Sequence, residues 1–361
     1  MKQIGLPVIG VPAGDTSAIE GKMLSALARL AALEGKMSTL EGKMSTLEGK
    51  MSTLEGKVGA FQDALNLAPM ILYNAEGAGD AVVKVLASSD DTEKVSFEYA
   101  VVADYKPGSQ DSYRFSRATY TGATTTREGV FISVPAGSSL LVRSLTAATW
   151  ASGIGKYNKF KITSGKFTLD GDVTALVGWK QTDKTIFCSL FEGCTGLAEC
   201  TPGVLPATTL AAMCYSSMFY GCTSLTTAPV LPATTLAAMC YSSMFSGCTS
   251  LTTAPVLPAT TLATSCYYSM FSGCTSLTTA PVLPATTLAT SCYYSMFSGC
   301  TSLTYIKAMF KGLSTSALAP TANWVKGVAA EGTYVKNAEA TYTSTGDSAI
   351  PEGWTVETAT E

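Results

Sequence analysis

Apolar residues step along the chain at alternating intervals of three and four: Ile19, Met23, Ala26, Leu30, Leu33, Met37, Leu40, Met44, Leu47, Met51, Leu54, Val58, Phe61 and Leu65. That spacing is a heptad seam, and it predicts a parallel coiled coil over 18–68. Glu41, Glu48 and Glu55 fall where each would face a lysine (Lys36, Lys43, Lys50, Lys57) on a neighbouring chain. Methionine alternating with leucine leaves the number of strands open, with three favoured over two. Gly35, Gly42, Gly49 and Gly56 take the outer position, and each costs ~1 kcal/mol relative to alanine in a helix. Burial of the seam between chains is expected to offset that loss. Pro69 ends the helix and the period falls to two. Strands are predicted at Val82–Leu86, Val95–Ala103, Tyr113–Tyr120, Val130–Val134, Leu140–Leu145, Lys159–Ile162, Lys166–Leu169 and Val173–Val177. Together they imply a β-rich, sandwich-like module over 69–180.

A longer period follows. A 26-residue unit opening Leu-Pro-Ala-Thr-Thr-Leu begins at Leu205, Leu231, Leu257 and Leu283, after a degenerate copy around Cys188–Gly203. Periods of 20–29 residues predict a leucine-rich-repeat solenoid, assigned to 181–310, with 311–361 as its cap. Within one unit the expected core set is Leu231, Leu236, Cys240, Met244, Phe245, Cys248, Leu251 and Val256. Stacking would align two cysteine columns, one through Cys214, Cys240, Cys266 and Cys292, the other through Cys194, Cys222, Cys248, Cys274 and Cys300. Their spacing does not converge thiolates on a metal, and they read as buried structural thiols. The units differ from one another at Met213, Ser216, Tyr220, Met239, Ser242, Ser265, Tyr268, Ser291 and Tyr294. These positions are the candidate ligand face, although drift on an inert surface would produce the same pattern.

Composition narrows the chemistry. The 361 residues include no histidine, which removes Ser/His and Cys/His nucleophiles and histidine zinc sites. A net charge of −3 with scattered Lys and Arg argues against nucleic acid. No apolar run reaches the ~20 residues of a membrane helix. Residues 1–17 are broken by glycine and proline and read as an extended docking peptide through Ile4, Leu6, Val8, Ile9 and Val11. Asp170-Gly171-Asp172 reads as a hairpin turn rather than a calcium loop. Gly153-Ile154-Gly155-Lys156 lacks the spacing of a P-loop. Glu98 with Asp104, or Asp90 with Asp91, has nothing in its spacing to make it a glycosidase pair. The expectation is a protein that is not an enzyme, with no cofactor and no metal.

The run Met-Phe-Ser-Gly-Cys-Thr-Ser-Leu at Met244–Leu251, then Thr-Thr-Ala-Pro and Leu-Pro-Ala-Thr-Thr-Leu, resembles the BspA-like leucine-rich repeats of bacterial surface proteins and some of their phages. Asn323-Trp-Val-Lys-Gly-Val, Ile350-Pro-Glu-Gly-Trp-Thr-Val and Phe160-Lys-Ile-Thr-Ser-Gly-Lys-Phe-Thr-Leu-Asp-Gly-Asp-Val are similar to segments that flank such arrays. The resemblance implies adhesion to carbohydrate or a host surface, and no catalytic residues. With a docking peptide and a heptad segment in front, the order of parts resembles a phage fibre, the head fibres of crAss-like gut phages being similar. The expectation is therefore a multidomain elongated fibre on the virion surface. It would be a homotrimer, held to a capsid or tail protein by its N-terminus and meeting host glycan, mucus or a surface protein. The alternative is a bacterial cell-surface adhesin.

Overall fold

The computed structural model describes residues 16–66, 69–86, 94–105, 116–121, 129–143, 151–153, 156–157, 159–176, 187–313 and 319–360. They divide into two compact units, Met1–Leu65 and Asn66–Glu361. The described residues of the first belong to one helix, α1 (Thr16–Asn66). Three of its glycines are paired with threonines four residues on. Thr39, Thr46 and Thr53 donate their hydroxyls to the carbonyls of Gly35, Gly42 and Gly49 at 2.8–2.9 Å. The seam is uncovered: Met23 is 61% exposed, Leu40 63% and Leu47 64%, with Leu30, Leu33, Met37, Met44 and Met51 all above half. Leu24 and Leu27 are exposed as well, so the apolar surface is wider than the heptad stripe. The side chains of Ile19, Leu54, Val58, Phe61 and Leu65 lie outside the described residues, as do Ile4, Leu6, Val8, Ile9 and Val11.

The second unit contains fourteen named strands among its described residues: β1 (Met70–Asn74), β2 (Ala81–Leu86), β3 (Lys94–Ala103), β4 (Ser116–Thr121), β5 (Val130–Val134), β6 (Ser138–Arg143), β7 (Ala151–Gly153), β8 (Lys156–Tyr157), β9 (Lys159–Ile162), β10 (Phe167–Asp170), β11 (Leu197–Cys200), β12 (Tyr305–Ala308), β13 (Thr333–Lys336) and β14 (Thr355–Thr358). A six-stranded sheet runs β11-β10-β1-β6-β3-β4, and a three-stranded sheet runs β5-β2-β9. Alternation sets one face of each toward a common core. Met70 and Leu72 of β1, Leu140 and Val142 of β6, Val83 and Val85 of β2, and Phe160 and Ile162 of β9 are at most 2% exposed. The predicted strand at Val173–Val177 is instead a 3-10 helix at Val173–Leu176, whose start is capped by Asp172 Oδ1 accepting from the Thr174 amide at 2.8 Å. The Asp-Gly pair is likewise not a hairpin. Gly171 sits at φ +73°, which favours glycine, and a side chain there would also strike the Pro69 carbonyl.

These findings correct the expected architecture in three places. The helix is single and its seam is open, so the structure is not a packed trimeric coiled coil; the apolar residues spread beyond one stripe, and none of the described residues covers them. The β region is not a separate sandwich ending near 180. Its sheet takes an edge strand, β11, from the first repeat, and one hydrophobic core runs from Met70 to Trp354. Nor is there a leucine-rich-repeat solenoid with a strand in each unit, because no named strand lies between β11 and β12.

The repeated units are built from turns joined at single bridges. Along 214–222 the amides divide by parity. Those of Tyr215, Ser217, Phe219 and Gly221 donate to carbonyls of the next unit (Cys240, Ser242, Met244, Ser246) at 2.8–3.0 Å. Those of Cys214, Ser216, Met218, Tyr220 and Cys222 close turns to the carbonyl three residues back. This satisfies the buried backbone without helix or sheet. It also demands a left-handed residue every fourth position: Met213, Ser217 and Gly221, then Met239, Ser243 and Gly247, and so on to Ser291, Ser295 and Gly299, all with φ between 50° and 75°. Single bridges Thr227–Thr253–Thr279–Tyr305 continue into the parallel strands β12, β13 and β14.

Candidate functional site

Residues that recur unchanged form columns beneath the surface. Phe191, Phe219, Phe245, Phe271 and Phe297 stack at 5.6–5.8 Å between ring centroids, and Tyr215, Tyr241, Tyr267 and Tyr293 at 5.8–5.9 Å. Phe160 of β9 starts the first column and Trp324 ends it, with the Trp324 indole N–H held by the Ala349 carbonyl at 2.7 Å. A third column is made of thiols. Cys222, Cys248, Cys274 and Cys300 donate S–H to the carbonyls of Phe191, Phe219, Phe245 and Phe271 at 3.0–3.1 Å. Burial pushes these thiols up, Cys248 and Cys300 to about 12. A thiol held protonated is no nucleophile and no metal ligand, and no group of three metal-ligating side chains occurs among the described residues.

The candidate ligand face is only partly a face. Ser216, Ser242 and Ser291 are buried, at 6%, 5% and 7% exposed, and Ser216 donates its hydroxyl to the Ser242 carbonyl at 3.2 Å. Met213, Met239, Ser265 and Ser291 are left-handed turn residues that keep the same backbone whichever side chain is present. What remains is aromatic. Tyr268 and Tyr294, in adjacent units and half-exposed, stack with centroids 4.7 Å apart and planes 2° apart. Tyr220, 46% exposed, occupies a different column. Val256, expected in the core, is 76% exposed, and Val230 and Val282 share its outward column.

Of the carboxylates considered from sequence, Glu98 pairs with Arg143 across β3 and β6 at 3.2 Å, while Asp90 and Asp91 lie outside the described residues. Asp104 lies at the rim of a cleft of about 400 Å³ on the outer face of the six-stranded sheet. Sequence reasoning missed that cleft. Its walls come from segments up to 130 residues apart (Ile71 and Thr201), and no local motif marks them. Comparison of the chain with models of known families, with curated proteins and with solved structures finds no match.

Proposed function

We propose that this chain is a structural attachment protein of a phage particle, a head or tail fibre, and performs no catalysis. On this reading its N-terminus docks on a capsid or tail protein, it assembles with other copies of itself, and its repeats meet host glycan or mucus. The observation that carries the reading is the parallel Tyr268–Tyr294 pair, presented half-exposed on a scaffold whose long phenylalanine and tyrosine columns are shut in the core. Rigid aromatics supply contact area at small entropic cost. Repeated presentation across several copies raises the effective concentration of each further contact, so weak contacts multiply into avidity of ~10²–10⁴. The BspA-like resemblance supports a surface-facing role.

The test is antibody labelling of purified particles in the electron microscope, combined with adhesion of purified protein to host cells. Label on the particle and adhesion weakened by Tyr268→Ala with Tyr294→Ala are expected. Particles without label would reject the virion assignment, and undiminished adhesion of the double variant would reject the tyrosine face.

A further inference from the structure

The second face of the six-stranded sheet carries a small buried cluster of its own, Ile71, Ala100 and Leu141, with Val102 and Tyr105 packed against it. On it Ile71 and Tyr73 of β1 form the floor of the cleft. Strand register sets their neighbours: Tyr73 lies between Thr168 of β10 and Ser139 of β6, and Ile71 is flanked by Asp170 of β10. Because these strands are central in the sheet, the floor is rigid. Thr201, from the first repeat, donates its hydroxyl to Asp170 Oδ1 and so fixes one carboxylate where β10 meets the repeats. Glu76 and Asp104 stand exposed at the rim, and Tyr105 completes the wall. Asp104 holds its place at φ 54°, a left-handed conformation that ends β3.

Three properties of this cleft select a ligand. An aromatic and aliphatic floor suits the C–H face of a flat ring. Hydroxyls beside carboxylates offer both donors and acceptors at short range, as a polyol needs, whereas an ammonium group would use the acceptors alone. Among the described residues Glu76, Asp104 and Asp170 line the cleft with no lysine or arginine, which disfavours sialylated, sulfated or phosphorylated groups. The volume of about 400 Å³ falls within the usual range for small-ligand sites. We propose that this cleft binds an uncharged pyranose of a host-surface glycan, with Tyr73 stacking on the sugar ring and Asp170 accepting from its hydroxyls. The proposal rests on the attachment reading, and adds a saccharide contact on the sheet to the contact made by the repeats.

The experiment applies full-length protein to an array of uncharged gluco-, manno- and galacto-oligosaccharides, sialylated and sulfated oligosaccharides, and immobilised spermidine. Binding to uncharged sugars is expected. Tyr73→Ala and Asp170→Asn should each weaken it by about tenfold or more, the loss typical of truncating an anchoring contact. Val256→Ser, at an outward position of the repeats, should leave it unchanged. If Tyr73→Ala fails to fold by circular dichroism, Glu76→Gln with Asp104→Asn interrogates the same cleft from exposed positions, and a several-fold loss is expected. Binding confined to spermidine or to the anionic sugars would overturn the proposal, as would uncharged-sugar binding that no cleft variant moves. Protein that adheres to host cells but ignores the array would keep the attachment reading and reject the cleft. Array binding without cell adhesion would do the reverse.

Discussion

Tyr241 and Tyr267 bring their hydroxyls into the core without a hydrogen-bond partner among the described residues. An unsatisfied buried hydroxyl costs roughly 1–3 kcal/mol, while the ring beneath it supplies the column's stacking. Replacing either tyrosine by phenylalanine keeps the stack and removes the cost. Tyr241→Phe and Tyr267→Phe are therefore expected to leave stability unchanged or raise it by about 1 kcal/mol in chemical denaturation; a clear loss would mean the hydroxyls are satisfied in solution. The thiols make a second residue-scale case. Desolvation raises Cys240 to about 11 and Cys194, Cys248, Cys292 and Cys300 to about 12, against roughly 8.5 in an unfolded chain. Below the unfolded value both states keep the proton and stability is full. Above it the unfolded chain sheds protons that the folded chain holds, and stability falls as pH rises from about 9 toward 12. Denaturant midpoints under reducing conditions should drop between about pH 7 and pH 10, and a flat profile would contradict burial of the column.

At the scale of elements, α1 carries glycines with no steric reason to be there. Gly35, Gly42 and Gly49 have nothing within 4 Å of where a side chain would project. Changing all three to alanine should raise helicity by far-ultraviolet circular dichroism, at about 1 kcal/mol per site. An unchanged spectrum would mean the helix is already held fully by a partner surface. This helix was legible in the sequence because a 3-4 period needs only local counting. What covers its seam is a property of other surfaces, which no spacing along α1 encodes. The repeats were legible in part for a related reason. Periodicity alone marks Leu231, Cys240, Met244, Phe245 and Cys248 as equivalent, and all are at most 2% exposed. Val256 was misread because a chain turning left-handed every fourth residue has neither a period of two nor one of 3.6 from which to count faces. The cleft was illegible altogether, since only strand pairing brings Tyr73, Asp170 and Thr201 together.

At the scale of the whole second unit, adjacent repeats touch through the same hydrogen bonds and the same ring contacts each time. Stability in such an array is close to a sum of nearest-neighbour terms. Deleting Leu231–Val256 joins Val230 to Leu257 and recreates an existing junction. The shortened chain should fold, unfold cooperatively and melt a few degrees lower; aggregation would show that the units are not interchangeable. The same interchangeability leaves the interior units without an address. Nothing in the backbone pairing of Cys240–Gly247 distinguishes its proper neighbour from the one beyond. Only the ends are unique: Phe160 and β11 tie the first repeat to a finished sheet, and Trp324, pinned to Ala349, admits no further phenylalanine. The sheet thus acts as the seed of an ordered deposition and Trp324 as its terminator. A chain emerging from the ribosome N-terminus first meets the seed before any repeat can choose the wrong neighbour.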